Sequence, residues 1–474
     1  MNELTAEVVV AGAGPTGLML ANELALAGLD VVVLERMAVR TGLSKALNLQ
    51  PRTAEVLDLR GLLGRAEQRS FATVPEGHFA TIPVSYAGWD TRHPYQLGIP
   101  QAEVEAALEE RLAEQGVRVL RGHELTAFTQ DPDSVTVTAG DVRVRAAYLV
   151  GCDGGRSVVR KALGLPFEWL DGRGHGVSAD VLFRSPPPGT PSEWRSMRSL
   201  VTSNGPSSYV GLIPLAEPNL YRLSYGDRLS RPANLRAPVT DEEIHEVVHE
   251  SFGAETEIKE IRWASRFSDD SRLAANYRVD RVFLAGDAAH IHFPAGGQGL
   301  NLGIQDAMNL GWKLAAVLNN QAPKALLDTY ESERRPVAER VLQNVAAQTA
   351  LIPASKEQLA LRALLRDLAA LPEVQHHLSG MVSGLDISYP APENFHPATG
   401  TRLPDFKTEE GHASNWFHSG KFILLTKDQT KTPHPAILVK QVPELPWPEV
   451  TRALIRPDGY VANTTGATEG WLTP

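Results

Sequence analysis

Three glycines near the N-terminus constrain the fold of this chain more than any other feature. Gly12, Gly14 and Gly17 stand in the segment GAGPTG, which follows an apolar run and opens the pattern PTGLMLANELALAG. A second apolar run, DVVVLE, ends at Glu35. Continuous apolar runs of this length are typical of buried parallel strands. Residues 7–35 therefore predict a strand, a tight turn, a helix and a second strand, which together form a βαβ unit.

The spacing of the glycines indicates what this turn binds. Gly12 permits the tight turn, Gly14 lets a pyrophosphate approach the backbone, and Gly17 allows the helix to pack closely on the strand. The N-terminus of the helix attracts the anion. The alternative is a glycine turn in an unrelated α/β protein, but then the strand, the helix and Glu35 would share this register by accident. We therefore expect a dinucleotide here.

Glu35 narrows the choice of dinucleotide. It ends the second strand, where a carboxylate accepts hydrogen bonds from a ribose 2′-hydroxyl. Its negative charge would repel a 2′-phosphate, so FAD or NAD is expected at this turn and NADP is not. The next residue, Arg36, belongs to the same predicted site.

Composition excludes several classes of partner. The formal net charge is −10 and the 46 Lys and Arg residues form no basic run, which argues against nucleic acid or an anionic membrane surface. Cys152 is the single cysteine, so no intrachain disulfide and no cysteine-rich metal site can form. The first residues lack the features of a signal peptide, and no stretch reaches the roughly 18 apolar residues of a membrane span. We expect a cytoplasmic protein that acts on a small molecule.

The chain is long enough for two or three domains, because its 474 residues exceed what one core usually supports. Residues 135–150 predict a hairpin within the nucleotide-binding part. From about residue 165, short alternating strands predict a mainly antiparallel sheet. A buried strand and turn, RVFLAGDAAH, returns at residue 281 and is followed by helical patterns to about residue 384. The tail from about residue 400 contains the strand patterns KFILLT and RALIRPDGYV and is expected to be a small α/β unit.

Two later segments favour FAD over NAD. They are GCDGGRSVVR at residues 151–160 and LAGDAAHIHFPAGGQGLN at residues 284–301. Together with the glycine turn, and in the same order, they resemble the fingerprints of the flavoprotein hydroxylases of the para-hydroxybenzoate hydroxylase class. This class of enzyme binds FAD.

The resemblance assigns roles to residues in both segments. It implies that Asp153 and Gly154 lie near the flavin pyrophosphate, that Asp287 hydrogen-bonds the ribityl chain, and that residues 294–301 edge the isoalloxazine. The glycine run of the second segment agrees with this, because its backbone N–H groups can approach a flat ligand. The following helix N-terminus can also stabilise negative charge on a reduced flavin.

Two further segments, SKALNLQPRTAEVLDLRGLL and PQAEVEAAL, match the same class. By this resemblance Lys45 stands where a basic residue holds the flavin diphosphate, and Gln101 stands where a polar side chain contacts the cofactor. Lysine lacks the bidentate fork of arginine, so the contact of Lys45 is expected to be less directional. The complete predicted FAD site consists of Gly12, Gly14, Pro15, Thr16, Gly17, Glu35, Arg36, Lys45, Gln101, Asp153, Gly154, Asp287, Pro294, Gly297, Gly299, Leu300 and Asn301.

Over nearly its whole length the chain is similar to aromatic polyketide hydroxylases that act on angucyclines, anthracyclines and tetracyclines. The segment HHLSGMVSGLDISYP at residues 376–390 and the tail ALIRPDGYVA carry this likeness. It implies a Rossmann-like FAD-binding domain with its following helices (residues 1–165 and 276–395), an inserted, mainly antiparallel substrate sheet (166–275) and a small thioredoxin-like α/β domain (396–474). The last of these lacks cysteine, so it cannot perform disulfide chemistry, and it is shorter than this group leads us to expect.

The resemblance also implies a reaction. NADPH, or alternatively NADH, would bind transiently and reduce FAD, O2 would add at flavin C4a, and the hydroperoxide would transfer its distal oxygen to an electron-rich polycyclic aromatic ring. The cofactor carries this chemistry, and no catalytic dyad is predicted. Two alternatives stay open. One is a monooxygenase that inactivates a tetracycline or rifamycin, and the other is a binding protein that has lost the flavin.

The substrate pocket is expected between the inserted sheet and the isoalloxazine. Alternation along residues 221–225 gives the strand two faces, one with two tyrosines and a leucine and one with Arg222 and Ser224. Alternation alone does not select a face, and the aromatic face could equally pack a core. The predicted lining consists of Tyr221, Leu223, Tyr225, Phe293 and Pro294.

No metal is predicted. His290 and His292 flank the turn near the flavin, but no carboxylate or cysteine accompanies them at the spacing of a metal site. The oligomeric state stays open, with a homodimer as one option.

Overall fold

The computed structural model describes residues 2–172, 174–194, 208–227, 237–352, 355–432 and 434–472. Its α-helices are α1 (Pro15–Leu26), α2 (Pro51–Asp58), α3 (Leu63–Glu67), α4 (Gln101–Glu114), α5 (Val158–Ala162), α6 (Asp241–Phe252), α7 (Gly299–Leu318), α8 (Asp328–Ala350), α9 (Lys356–Leu368) and α10 (Pro372–Ser383).

The strands before α5 are β1 (Asn2–Thr5), β2 (Val8–Ala11), β3 (Val31–Glu35), β4 (Asn48–Leu49), β5 (Ala72–Val74), β6 (Glu76–Phe79), β7 (Ile82–Ser85), β8 (Gln96–Gly98), β9 (Val119–Arg121), β10 (Leu125–Gln130), β11 (Val135–Ala139), β12 (Val142–Ala146) and β13 (Tyr148–Gly151). The later strands are β14 (Phe167–Leu170), β15 (His175–Phe183), β16 (Ser208–Pro214), β17 (Leu220–Asp227), β18 (Ile258–Ser268), β19 (Ser271–Ala274), β20 (Arg278–Val279), β21 (Val282–Leu284), β22 (His290–Ile291), β23 (Lys407–Thr408), β24 (Gly411–His412), β25 (Phe422–Thr426), β26 (Ile437–Gln441), β27 (Arg452–Ile455) and β28 (Val461–Asn463).

The predicted βαβ unit is confirmed. Strands β2 and β3 are parallel neighbours in a six-stranded sheet of order β20-β21-β13-β2-β3-β9, in which only β20 runs antiparallel to its neighbour. Pro15 stands at the first position of α1, where its missing N–H costs no intrahelical bond. Residues 8–11 of β2 are all buried, because helices cover both faces of such a sheet.

Strands β15, β16, β17 and β18 form an antiparallel sheet, as the alternating pattern after residue 165 predicts. Its order is β16-β17-β15-β18, and all its neighbouring strands are antiparallel. Helix α6 packs on one face, where Ile244 and Val248 join a hydrophobic cluster separate from that of the nucleotide-binding part. One face of this sheet therefore packs against α6 in a separate hydrophobic core, and the opposite face is not covered by α6.

The predicted helices up to about residue 384 are confirmed, with α10 ending at Ser383. The strands of the tail are also confirmed. Its predicted helices are wrong for the part of the tail that the structure describes, where the sheet β26-β25-β27-β28 and one 3-10 helix, Ala413–Ser419, occur without an α-helix. The physical reason is in the connections, since KTPHPA and VPELPWPEV carry prolines that remove helical N–H donors.

No α-helix in the described ranges is both long and apolar enough to cross a membrane.

Candidate flavin site

The glycine turn between β2 and α1 is shaped by close backbone contacts. Gly12 has a φ of 106°, and a Cβ there would lie 2.4 Å from the carbonyl oxygen of Cys152. A Cβ at Gly17 would lie 2.0 Å from the carbonyl oxygen of Gly12, so only glycine lets α1 pack this closely. A Cβ at Gly14 would meet no atom within 4 Å. The backbone at Gly14 is therefore open to an anion at the N-terminus of α1.

The Glu35 carboxylate braces the same turn. Its Oε2 accepts a hydrogen bond from the Ala13 N–H at 2.8 Å, and its Oε1 accepts one from the Met37 N–H at 2.9 Å. Each carboxylate oxygen keeps a further lone pair for a ribose hydroxyl. Arg36 is exposed beside it, and its contact with a cofactor stays a prediction.

Asp153 in the second motif has one oxygen engaged and one available. Its Oδ2 accepts hydrogen bonds from the N–H groups of Val158 at 2.6 Å and Val159 at 3.1 Å, which satisfies free donors at the start of α5. Its Oδ1 is buried and has no partner among the described residues. A Cβ at neighbouring Gly154 would meet nothing within 4 Å. A buried acceptor beside open backbone fits a ligand hydroxyl.

Thr16 brings the first and third motifs together. A Cβ at Gly286 would lie 2.5 Å from the Thr16 Oγ1, and a Cβ at Gly303 would lie 2.3 Å from it. Both glycines therefore allow α7 and the turn before it to close on α1. Asp287 lies in that turn and is exposed, so a ligand can reach its carboxylate.

The glycine run after this turn is held by polar side chains. Gly296 and Gly297 have φ values of 70° and 62°, and a Cβ at Gly297 would lie 2.2 Å from the Asn48 Oδ1. Asn301 accepts a hydrogen bond from the Gln50 N–H at 2.7 Å and donates one to the Gly297 carbonyl at 2.8 Å. Asn301 is buried. Its side chain therefore supports the run, and its contact with the cofactor stays a prediction.

The remaining predicted residues of this segment lie along the same edge. Pro294 is exposed, and Gly299 and Leu300 are partly buried at the first positions of α7. These backbone positions can be approached from outside the fold.

A buried ionic group lies beneath the third motif. Asp306 accepts hydrogen bonds from His290 at 2.6 Å, Arg334 at 2.7 Å and the Gly286 N–H at 3.2 Å. Burial alone would raise the pKa of Asp306, but the charges of Arg334 and His290 outweigh it and leave the pKa below its usual value. Arg334 also donates to the Tyr389 hydroxyl at 3.3 Å. This group fixes the turn that carries Asp287.

The loop that carries Lys45 is attached to the start of α4 and to the antiparallel sheet. The Gln101 N–H donates to the Ala46 carbonyl at 2.9 Å, so Lys45 and Gln101 are close neighbours. From the antiparallel sheet, Arg222 donates to the Ser44 carbonyl at 2.6 Å and to the Lys45 carbonyl at 3.2 Å. Lys45 is exposed.

The predicted substrate face of β17 is wrong. Tyr221, Leu223 and Tyr225 are buried in the separate core with Ile244 and Val248 of α6. They face away from the loop at Lys45, because α6 covers this side of the sheet. The alternative face, which carries Arg222 and Ser224, is directed towards the flavin segments.

That face consists of three rows of side chains across β16, β17, β15 and β18, aligned by the strand register. The rows are Tyr209, Gly226, Gly176 and Phe267; Gly211, Ser224, Ser178 and Ser265; and Ile213, Arg222, Asp180 and Trp263. The middle row has only glycine and serine, so it is lower than the rows beside it. We refer to these three rows as the sheet trough.

Both outer rows of the sheet trough contact flavin segments. Phe267 lies 5.9 Å from Phe293, measured between ring centroids. Arg222 pairs with Asp180 at 2.5 Å and its guanidinium lies 4.8 Å from the centre of the Trp263 ring, while it also holds the Lys45 loop. The trough therefore opens towards the predicted isoalloxazine position, and the predicted involvement of Phe293 is consistent with this geometry.

The floor of the sheet trough offers a hydrogen-bond donor. Ser178 and Ser224 hydroxyl oxygens lie 3.2 Å apart. One hydroxyl donates to the other, so the second proton is available to a further acceptor. Both side chains are partly buried.

The two histidines near the glycine run have different surroundings. His290 is bound to Asp306, whereas His292 contacts the Phe293 carbonyl through Nδ1 at 2.7 Å. Desolvation lowers the pKa of His292, so it is neutral at pH 7. Within the ranges that the structure describes, no group of three or more His, Cys, Asp and Glu side chains could hold a metal ion.

Several residues of the site were missed by sequence reasoning. They are the support group at Asp306 and Arg334 and the trough residues Asp180 and Trp263. Asp306 did leave a signal, because it is a carboxylate inside the apolar helix GLNLGIQDAMNLGWKL. Its partner Arg334 is 28 residues away, and no local pattern links the two.

The residues present fit an FAD molecule. The open backbone at Gly14 and Gly154 suits a pyrophosphate, the unpartnered Asp153 oxygen and exposed Asp287 suit hydroxyl groups, and the glycine run suits a flat ring system. The turn at the carboxyl ends of parallel strands is where α/β sheets bind such ligands. Fold and site thus define a dinucleotide-binding protein of the flavoprotein type.

Comparison with known proteins agrees with this class. A family model described as FAD binding domain matches residues 5–345. Anhydrotetracycline monooxygenase from Streptomyces rimosus is 44% identical, covering 98% of this chain and 96% of that protein. Rifampicin monooxygenase from Streptomyces venezuelae is 39% identical, covering 96% and 94%. The solved structure of the OxyS anhydrotetracycline hydroxylase from Streptomyces rimosus superimposes with a TM-score of 0.88 at 41% identity, covering 99% of this chain and 98% of that one.

The chain belongs to the FAD binding domain family. It is an FAD-dependent monooxygenase of the aromatic hydroxylase class.

Proposed function

We propose that this enzyme uses NADPH and O2 to hydroxylate a polycyclic aromatic substrate held in the sheet trough. The observation that carries the proposal is the position of the trough, whose outer rows contact Phe293 on one side and the Lys45 loop on the other. A ring system in the trough would therefore lie against the flavin. Relatives that act on anhydrotetracycline and rifampicin support a substrate of several rings.

The dimensions of the trough suit a long, flat molecule. Its rows cross four strands spaced about 4.8 Å apart, so the floor is roughly 14 Å long. Aromatic side chains of the outer rows can stack on ring faces. Hydroxyls on the floor can bind the oxygen atoms that edge a phenolic polyketide. A single ring would contact only part of this surface.

The chemistry divides between the cofactor and the chain. Bound, reduced FAD supplies the activated oxygen. The chain orients the ring by the trough, holds the flavin segments through the Asp306 group, and excludes water with Phe267, Phe293 and Trp263. Orientation and exclusion of water are the two contributions that protein side chains make to such a transfer.

We also propose the domain layout. Residues 1–165 and 276–395 would form the FAD-binding domain and its following helices. Residues 166–275 would form the substrate domain, and residues 396–474 a shortened thioredoxin-like domain. The order β26-β25-β27-β28, with β25 and β26 parallel and the other pairs antiparallel, supports the last assignment. It differs from a complete domain of that type because the described part of the tail contains no α-helix after α10.

A second candidate function is inactivation of a finished antibiotic. The identity to rifampicin monooxygenase favours it. Both functions use the same site, and they differ in whether the oxygenated product keeps its antibacterial activity.

Steady-state NADPH oxidation tests the proposal. Purified holoenzyme is mixed with anhydrotetracycline, with a panel of other polycyclic phenols and with para-hydroxybenzoate, and products are analysed by mass. We expect a polycyclic compound to stimulate NADPH oxidation and gain one oxygen atom, while para-hydroxybenzoate does neither. Coupled hydroxylation of single-ring phenols, with no response to any polycyclic compound, would contradict the proposed substrate class. A growth-inhibition assay on the product then distinguishes the two functions.

A further inference from the structure

The connection after β15 follows a fixed path along residues 184–194. The Thr190 hydroxyl donates a hydrogen bond to the Pro187 carbonyl at 2.6 Å, and this bond closes a turn. The Pro191 carbonyl then accepts a hydrogen bond from the buried Tyr221 hydroxyl at 3.0 Å. Prolines in SPPPGTPS restrict the backbone further. Tyr221, which does not line the trough, thus fastens this connection to the antiparallel sheet.

Three residues further, the same connection reaches the nucleotide-binding part. The Trp194 ring seats on Gly98 of β8, where an added Cβ would lie 2.9 Å from its Cε3. Phe71 meets the indole edge-on, with ring centroids 5.9 Å apart. A Cβ at position 98 would therefore displace this ring.

The seat of Trp194 lies close to the flavin segments. Gly98 pairs in register with Asn48 of β4, so a Cβ added at Gly98 would lie on the same face of the small sheet as the Asn48 side chain. On that face Asn48 contacts the Gly297 position of the glycine run. Trp194 therefore stands one strand away from a residue that touches the predicted edge of the isoalloxazine. Its side chain is only partly buried, so part of the indole is free to meet a ligand.

We propose that Trp194 forms the wall of the substrate site opposite the sheet trough, where its indole stacks on the planar substrate and shields the flavin from water. The inference rests on the proposed function for the identity of the substrate. Tyr221 and Gly98 are positioning residues for this wall, the first through the Pro191 carbonyl and the second through the space it leaves. An aromatic wall suits flat, multi-ring compounds, because stacking grows with shared ring area.

The test compares Trp194→Ala and Trp194→Phe with the wild-type holoenzyme. Trp447→Ala is the matched control, since Trp447 is also partly buried but packs beside His396 in the tail. Three quantities are measured: flavin content, the Kd of anhydrotetracycline from the change in flavin absorbance, and the fraction of NADPH electrons recovered as hydrogen peroxide. Gly98→Ala, which displaces the ring without removing it, provides a second route to the same loss.

We expect Trp194→Ala to weaken binding about three- to tenfold, the range of one aromatic pair, and to raise the peroxide fraction with flavin content unchanged. Trp194→Phe should restore most of the binding, Gly98→Ala should resemble Trp194→Ala, and Trp447→Ala should resemble the wild type. Binding and coupling within twofold of wild type in Trp194→Ala would overturn the proposal. Loss of flavin in that variant would also overturn it, because the residue would then serve the cofactor site.

Iodide quenching of flavin emission separates this inference from the proposed function. It needs no substrate and reports whether Trp194 covers the flavin. If the wild type neither binds nor oxygenates any polycyclic compound, the proposed substrate class fails. Greater quenching in Trp194→Ala than in Trp447→Ala would then still support the covering wall, and equal quenching would refute it.

Discussion

Two carboxylates, Asp287 in the third motif and Asp306 in the helix α7 that follows it, have different surroundings. Asp287 is exposed on a 3-10 turn, so its hydrogen bonds are available to a ligand. Asp306 is fully buried, and its oxygens accept hydrogen bonds from His290, Arg334 and the Gly286 N–H. One carboxylate is accessible to a ligand, and the other holds the turn that carries it.

We predict that Asp287→Ala gives folded protein with little flavin. A hydrogen bond to a charged group contributes about 1.5–3 kcal/mol, so the Kd for FAD should rise on the order of 10- to 100-fold. The flavin-to-protein absorbance ratio and a titration with FAD measure this. Asp141→Ala is the control, because Asp141 is exposed in the β11–β12 turn. Undiminished flavin content in Asp287→Ala would remove this residue from the site.

Asp306→Ala should behave in the opposite way. Removing it leaves Arg334 buried without its carboxylate, a change that typically costs about 3–5 kcal/mol. We expect a lower midpoint of unfolding even in the presence of saturating FAD, which a urea titration would show. If Asp306→Ala keeps wild-type stability and loses only flavin, then Asp306 is a ligand of the cofactor and not a support.

Among the elements, the antiparallel sheet shows where sequence reasoning stops. The alternation of side chains predicts the strand β17 and its two faces, but it does not indicate which of the two faces points towards the flavin. The two faces are distinguished by helix α6, because its Ile244 and Val248 pack in one hydrophobic cluster with Leu223 and so bury that face. This contact is between residues of two different elements, so the residue pattern within the strand alone does not predict it. In contrast, the glycine turn between β2 and α1 could be predicted, because its residues lie in one contiguous motif.

Adjacent residues of β17 give a direct test of the two faces. Leu223→Ala should lower the free energy of unfolding by about 2–5 kcal/mol, the usual cost of a buried Leu→Ala change. Ser224→Leu should change stability less, but it should fill the sheet trough and weaken binding of anhydrotetracycline with flavin content unchanged. Urea unfolding and flavin absorbance titrations measure the two effects. The face assignment would be wrong if Leu223→Ala alone impaired substrate binding.

For the whole molecule, buried charges join the tail to the FAD-binding part. Arg456 of the tail pairs with Glu333 of α8 at 2.8 Å, and Lys313 of α7 lies 2.9 Å from the same carboxylate. Burial would raise the pKa of Glu333, but the Arg456 and Lys313 charges lower it to about 2. Asp458 accepts a hydrogen bond from Trp312 at 3.0 Å. Tail residues also belong to the main hydrophobic cluster, so these parts share one core.

The low pKa of Glu333 predicts a defined pH dependence of stability. The folded value of about 2 lies below the ordinary value of 4.5, so the contribution is complete above pH 4.5 and is lost as the pH falls towards 2. A shift of this size corresponds to about 3 kcal/mol. Glu333→Gln should therefore be less stable than wild type by about that amount at pH 7, with a difference that shrinks below pH 4.5.

Urea unfolding at several pH values measures this difference. Glu217→Gln is the matched control, because Glu217 also pairs with an arginine, Arg262, but at the surface. It should stay close to wild type throughout. A Glu333→Gln difference that is constant with pH would show that the carboxylate does not carry its charge in the folded protein.

Removal of residues 400–474 should impair solubility and assembly more than the cofactor contacts themselves. The three flavin motifs all precede the deletion, and the tail lacks cysteine, so it supplies no redox group. Its removal would expose Trp312 and leave Glu333 without Arg456, which favours aggregation of the truncated chain.

The fraction of each protein in the soluble lysate and its flavin content are measured for the truncated chain, the full chain and Arg456→Leu. The single substitution separates loss of the Arg456 contacts with Glu333 and Asp458 from loss of the whole tail surface, because the rest of the tail remains. We expect little soluble truncated protein, with flavin retained in whatever fraction is soluble. A truncated chain that is soluble but free of flavin, beside a full chain that retains it, would show that the tail acts on the cofactor site itself.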